Sequence, residues 1–211
     1  MGDEADGLAA LTERVDRLER ELDEARSVQA IERLQRAYGY YLDKALWDDA
    51  VALLTDDCTV EIAGRGVYIG RDQAMVLFRD LLGAGRIGLA EGQIYNHMNL
   101  QGVTTIGEDL DSANGRWRAL IQAGRLGKGA FWAEGVYENT YRREAGVWKI
   151  ASLHWFATFY SPYQDGWGKT AMPMSGMSDV HPPDAPPSID YEPYPTPFVP
   201  PFHYPNPVSG E

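Results

Sequence analysis

The chain has 211 residues, 44% of them hydrophobic, and its 31 acidic against 19 basic residues give a net charge of −12. That size suggests one domain with extensions, and the apolar content is enough to bury a core, which excludes wholesale disorder. The acidic balance excludes nucleic acid and anionic membranes as partners, and no run approaches the ~20 apolar residues of a membrane span. The opening MGDEADGLAAL lacks the basic and apolar parts of a signal peptide. With the single Cys58, it predicts a cytoplasmic protein without an internal disulfide. Residues 5–28 read as a charged helix in which Leu8, Leu11, Val15, Leu18, Leu22 and Ala25 follow the a/d spacing of a short coiled-coil seam. The alternative is an amphipathic helix lying on its own domain. A second apolar stripe, Ile31, Leu34, Tyr38 and Tyr41, carries helix into residues 29–46, and another helix is expected at 47–55.

Cys58–Ala63 alternates as a strand with its cysteine read as a buried structural thiol, Gly64-Arg65-Gly66 is a turn, and Val67–Ile69 is a second short strand. Helix returns with Ala74, Leu77, Phe78, Leu81 and Leu82 and stops at Gly83 and Gly85. Four strands follow, at 94–106, 113–123, 131–142 and 147–159, joined by short turns as an antiparallel meander. This order predicts an α+β domain with helices on one face of a curved antiparallel sheet. Of 13 prolines, 11 lie between Pro182 and Pro207, interleaved with Tyr191, Tyr194, Phe198, Phe202 and Tyr204. Proline at this density disfavours helix and sheet, while the aromatics predict an ordered arm wrapping over its own or a neighbouring subunit. The expected divisions are an amphipathic helix at 1–28, a core domain at 29–160 and an arm at 161–211.

Ile31-Glu32-Arg33-Leu34 to Tyr38, Leu42-Asp43, Trp47 and Leu53 to Asp57 resemble the start of SnoaL-like proteins of the nuclear transport factor 2-like superfamily. Val67 to Arg71, His97 and Gly146-Val147-Trp148-Lys149-Ile150 continue the resemblance, which covers residues 28–158 or so. It implies a cone-shaped sheet wrapped around helices and enclosing a small-molecule pocket. Members include scytalone dehydratase-like enzymes, polyketide cyclases, steroid isomerases and lyases that cleave lignin-derived diaryl compounds. Tyr38 and Asp43, five apart at the end of the first helix, and His97, at the start of the meander, match dehydratase positions, so the resemblance implies a catalytic role for each. The following strand, Arg116 to Ile121, carries neither the His nor the Asp that such dehydratases place there.

An Asp–His pair in a dry pocket can share a proton, and a nearby Tyr hydroxyl can stabilise a developing phenolate or enolate. The same residues have bland roles available: Asp43 as a helix cap, His97 as a core histidine, Tyr38 as packing. Tyr41, Trp117, Tyr137, Asn139 and His154 are the candidate substrate-binding residues, with aromatics such as Phe131, Trp132, Trp148, Trp155 and Phe159 as further wall candidates. The four histidines lack metal-ligand spacing, and no dinucleotide or phosphate loop is present, so no cofactor or metal is expected. These residues suit a cofactor-independent lyase that removes water or formaldehyde from a phenolic or diaryl molecule, with a lignin-derived dimer as the substrate. A steroid or polyketide isomerase or cyclase, or a non-catalytic binder, fits the same residues. The seam predicts a homo-oligomer, and the resemblance favours a trimer over a dimer.

Overall fold

The computed structural model describes residues 2–210, with side chains from residue 6 onward. Met1 and Glu211, the outer bounds of the expected terminal segments, lie outside the described residues. The first 42 of these form one uninterrupted helix, α1 (Gly2–Asp43). Its C-terminal half buries Ile31, Gln35, Tyr38 and Leu42 against the sheet, and each large apolar side chain so buried stabilises by about 1.5–3 kcal/mol. α1 ends where Ala45 takes a left-handed φ of 53° and the Leu46 N–H bonds back to the Tyr41 carbonyl at 2.9 Å.

α2 (Trp47–Ala52) is shorter than its sequence pattern, because β1 (Leu54–Ile62) begins four residues before Cys58. Tertiary pairing explains the shift: Leu54 pairs with Ile150, whose N–H reaches the Leu53 carbonyl at 3.0 Å. Cys58 is fully buried, and burial pushes its thiol up to about 11, which leaves an inert structural group. A 3-10 turn, Ala63–Arg65, precedes β2 (Val67–Ile69). α3 (Gly70–Met75) continues as a π-helical turn over Val76–Leu82, so this helix starts earlier than its apolar spacing indicates.

β3 (Gln93–Ile106), β4 (Ser112–Arg125), β5 (Gly129–Glu144) and β6 (Val147–Pro162) form the meander. The sheet is unclosed, in the order β2-β1-β6-β5-β4-β3. It is mixed, because β1 pairs with β6 in parallel while the other four pairings are antiparallel. β4 shows how one face is chosen: Ala113, Trp117, Ala119, Ile121 and Ala123 point into the core, and the residues between them point out. α1 packs on that inner face against β3.

Among its described residues the arm after Pro162 contains no helix or strand, yet it is held along its own sheet. Val67 bridges to Ala185, Ser188 donates to Glu61 through N–H (2.9 Å) and hydroxyl (2.6 Å), and the Tyr194 N–H reaches the Thr158 carbonyl at 2.7 Å. Phe156 packs against Tyr191 and Phe198, which stack at 4.4 Å. Proline suits this role, since it gives up N–H groups that an extended strap could not pair and limits the freedom of the unfolded chain. Among the described residues, no helix is long and apolar enough to cross a membrane.

Candidate active site

A cavity of about 260 Å³ opens between the inner sheet face, the end of α1 and the 83–93 loop. Leu42, Tyr95, His97, Phe131, Tyr137 and Trp155 form much of its wall. The loop is anchored at the mouth by two bonds: the Trp47 indole donates to the Arg86 carbonyl at 2.7 Å, and the Gly88 N–H donates to the Ala45 carbonyl at 3.0 Å.

His97 and Tyr137 are the centre of the site. The His97 Nε2 and the Tyr137 hydroxyl are 2.6 Å apart, while Nδ1 is buried with no hydrogen-bond partner. Tyr38 stands edge-on to both rings, at 6.3 and 5.9 Å, behind the cavity lining, with its buried hydroxyl beside that of Tyr137. An orphaned nitrogen such as His97 Nδ1 is costly in a packed interior, at about 1–3 kcal/mol, and on a residue that lines a cavity it points to a binding site. Burial alone drives the His97 imidazole down to about 3, so it is neutral at physiological pH. The same desolvation raises Tyr38 and Tyr137 above the ordinary phenol range and Tyr95 to about 12. Around His97 the wall is therefore a set of neutral groups able to donate, accept and pass a proton, while Arg65 and Arg86 bring positive charge to the cavity.

Asp43 has a different task from the one its spacing suggests. Its Oδ1 accepts from the main-chain N–H of His97, not from the imidazole. It positions β3 against the end of α1 and does not form an acid/base dyad with the ring. Gly39 makes this approach feasible: a Cβ there would lie 2.3 Å from the Asn99 amide nitrogen and 3.0 Å from the His97 carbonyl oxygen.

The remaining sequence candidates divide. Tyr137 and Trp155 line the cavity, as does Phe131. Trp117 and Asn139 lie deeper, in a polar network. Asn139 donates to the Gln35 Oε1 at 3.0 Å, the Tyr141 hydroxyl donates to the same oxygen at 2.8 Å, and the Trp117 indole donates to Tyr141 at 2.9 Å. This network ties α1 to the sheet and leaves both residues outside the cavity wall. Tyr41 packs on the core at the helix end and is also outside it. His154 is on the opposite sheet face, 3.6 Å from Glu61 and stacked on Phe156. Because successive strand residues alternate, an inward Trp155 requires an outward His154. Trp132 and Phe159 likewise point outward, against Tyr163 and Trp167 of the arm. Trp148 is buried on β6 beside Arg143, away from the cavity. His203 meets Glu138 at 2.9 Å on that outer face, so the arm brings no histidine to the cavity.

Among the wall residues that went unread in the sequence are Arg65, Arg86, Gln93, Tyr95 and Tyr160. Tyr95 carried a signal, since it lies two residues before His97 on the same strand and must share its face. Among the described residues, no group of three or more His, Cys, Asp or Glu side chains could hold a metal ion.

An unclosed sheet wrapped on a helix, with a cavity lined by aromatic rings, a neutral histidine and two arginines, defines the class: an α+β cone domain of the nuclear transport factor 2-like kind. Residues 23–154 match the SnoaL-like domain, and the chain belongs to that family. No curated protein matches the chain. Among solved structures it is similar to LinA, with a TM-score of 0.59 and 22% identity over 67% of this chain and 92% of that one. It is also similar to a putative scytalone dehydratase from Novosphingobium aromaticivorans DSM 12444, with a TM-score of 0.58 and 23% identity over 67% and 90% of the two chains. The hexachlorocyclohexane dehydrochlorinase LinA-type3 from Novosphingobium barchaimii LL02 gives 0.59 and 22%, over 67% and 93%. At these identities the likeness is one of fold.

Proposed function

We propose that the chain is a cofactor-independent lyase acting on a phenolic or diaryl small molecule, with His97 as the proton acceptor and Tyr137 as its partner. The observation that carries this reading is the buried, neutral His97 ring at the cavity wall, bonded to Tyr137 through Nε2 and unpartnered at Nδ1. When Nε2–H donates to Tyr137, the Nδ1 lone pair is free to take a proton from the substrate. A proton accepted there makes an imidazolium, which the negative charge developing on the substrate stabilises in a low-dielectric wall. The phenolic proton passes through His97 to the departing benzylic hydroxide, so that water leaves, the para-phenol becomes a quinone methide and the imidazole is neutral again. The base then removes a proton from the adjacent carbon. Alternatively, it deprotonates a neighbouring primary alcohol, whose C–C bond breaks to release formaldehyde while its electrons restore the phenol. The names of the similar proteins, a dehydrochlorinase and a putative scytalone dehydratase, support an elimination of this type. Incubation with a phenolic diaryl-propanediol tests it. A stilbene absorbance band with stoichiometric formaldehyde is expected, and absence of turnover on a panel of such diols overturns the lyase reading in favour of a binder.

The protein is further proposed to act in the cytoplasm as a homo-oligomer, a trimer, through the α1 seam. Leu8, Leu11, Val15, Leu18 and Leu22 remain 44–66% exposed along one stripe. With Leu8, Val15 and Leu22 at a, the flanking g and e positions place Arg14 opposite Glu19 and Glu21 opposite Arg26 of a parallel neighbour in register. Light scattering on the full chain should give three copies, and Leu11→Glu with Leu18→Glu should dissociate them. A monomeric wild type would reject the seam.

A further inference from the structure

The chain's half-buried arginines are mostly matched to carboxylates, as Arg116 is to Glu138 and Arg143 is to Asp23 and Asp111. Arg65 is not. It is half-buried on the 3-10 turn, it lines the cavity, and it joins none of the ion pairs among the described residues. Its Nη1 donates to the Ile62 carbonyl at 3.3 Å, and its guanidinium stands beside the Tyr160 hydroxyl. A second unmet donor shares this corner. Trp155 is 2% exposed and lines the cavity, and its indole N–H has no hydrogen-bond partner. Ile62 and Trp155 are register partners across β1 and β6, which brings the two donors to the same side of the cavity.

A cation withdrawn from water without a counter-charge and a buried N–H without an acceptor both cost folding free energy. Their convergence on one cavity is explained by a ligand that supplies what both lack: an anionic oxygen. A guanidinium fork matches a carboxylate, and at neutral pH a carboxylate is ionised while a phenol is not. Tyr137 lies next to Trp155, with ring centroids 6.4 Å apart, so the aromatic wall runs from this corner towards His97. We propose that the cavity favours, among phenolic aromatic substrates, those that also carry a carboxylate, held by it against Arg65 and the Trp155 indole N–H, with the reacting carbon directed to His97. This rests on the reading of the cavity as the substrate site, and it makes Arg65 a specificity-determining residue.

The test is calorimetric titration of the full chain at neutral pH with 4-coumarate and with its methyl ester, which differ in the charge. The acid should bind about tenfold or more tighter than the ester. Arg65→Gln should abolish that preference while the ester binds as before, which also shows that the cavity has kept its shape. Arg65→Lys should restore part of the preference, and Trp155→Phe should weaken the acid more than the ester. Equal binding of acid and ester, no binding of the acid, or a loss in Arg65→Gln shared equally by both ligands overturns the proposal. Because binding requires no turnover, the result is independent of the lyase chemistry. His97→Gln, which should stop catalysis, should leave the acid-to-ester ratio unchanged.

Discussion

The two faces of the sheet carry the same residue types to opposite ends. On the outer face, His154 meets Glu61 and His203 meets Glu138, while Arg116 and Arg118 pair with Glu138 and Glu134, all beneath or beside the arm. On the inner face, His97 has no carboxylate on its ring, and the residues that carry an unmet ring nitrogen, an unmet indole N–H and an unpaired guanidinium line one cavity. Buried polar groups are ordinarily satisfied; beneath the arm one such atom, His203 Nε2, lacks a partner, whereas at the cavity His97 Nδ1 and Trp155 Nε1 gather with an unpaired guanidinium. A face where they are left open is arranged for something that arrives later. The contrast assigns stability to the outer histidines and chemistry to the inner one.

The largest expected effect separates the faces by stability. Phe156 is 3% exposed and holds Tyr191 and Phe198 of the arm. Phe156→Ala should cost about 3–5 kcal/mol in urea denaturation. Ligand affinity in the cavity should stay unchanged. A drop in affinity of comparable size would show that the faces are not independent.

On the inner face, Tyr137→Phe keeps the ring and removes the hydroxyl that meets His97. It should lower kcat/KM by about 100-fold in the stilbene assay with little change in melting temperature. A variant of unchanged kcat/KM would remove Tyr137 from the proton path.

The pH dependence of stability sharpens the same comparison. His97 is held near 3 in the folded protein against an ordinary 6.5, so below pH 6.5 the unfolded chain binds a proton that the native state refuses. The stability is fully present above pH 6.5 and falls with pH, by roughly 2 kcal/mol at pH 5. His154 is also depressed by burial, with Glu61 and Glu138 opposing the shift, so it contributes a weaker slope of the same sign. His97→Gln should flatten most of the loss in denaturation curves between pH 7 and 5. A slope that survives this change and vanishes with His154→Gln would reverse the ranking.

The smallest expected change in stability is at Gly39. Alanine there gains about 1 kcal/mol of helix propensity and loses a similar amount by displacing Asn99, so the net change should stay within about 1 kcal/mol. Activity should still fall, because the new methyl group presses on the His97 carbonyl. Full activity in Gly39→Ala would mean that the close α1–β3 contact does not position the ring.

Much of this was legible in the sequence where a period decides the outcome. The meander strands and the apolar stripe of α1 follow from alternation or helical spacing, whereas of the adjacent β5 wall candidates Phe131 and Trp132 only Phe131 faces inward. His97 stood out on a polar stretch between Asn96 and Asn99. What escaped depends on distances that only the assembled fold sets. Whether Asp43 meets an imidazole or a backbone N–H turns on how closely α1 crosses β3, and Gly39 sets that through the side chain it lacks. Arg65, between two glycines, looked like turn punctuation because the cavity it enters is formed by strands far away in the chain. His154 beside Trp155 was ambiguous until the pairing of β6 with β1 chose which of the two faces inward.

The most direct test compares two histidines in one assay. With a phenolic diaryl-propanediol as substrate, His97→Gln should lose at least about 100-fold in kcat/KM, while His154→Gln stays within about threefold of wild type. Comparable kcat/KM in the two variants, or a greater loss in His154→Gln, would contradict the assignment of chemistry to the inner face.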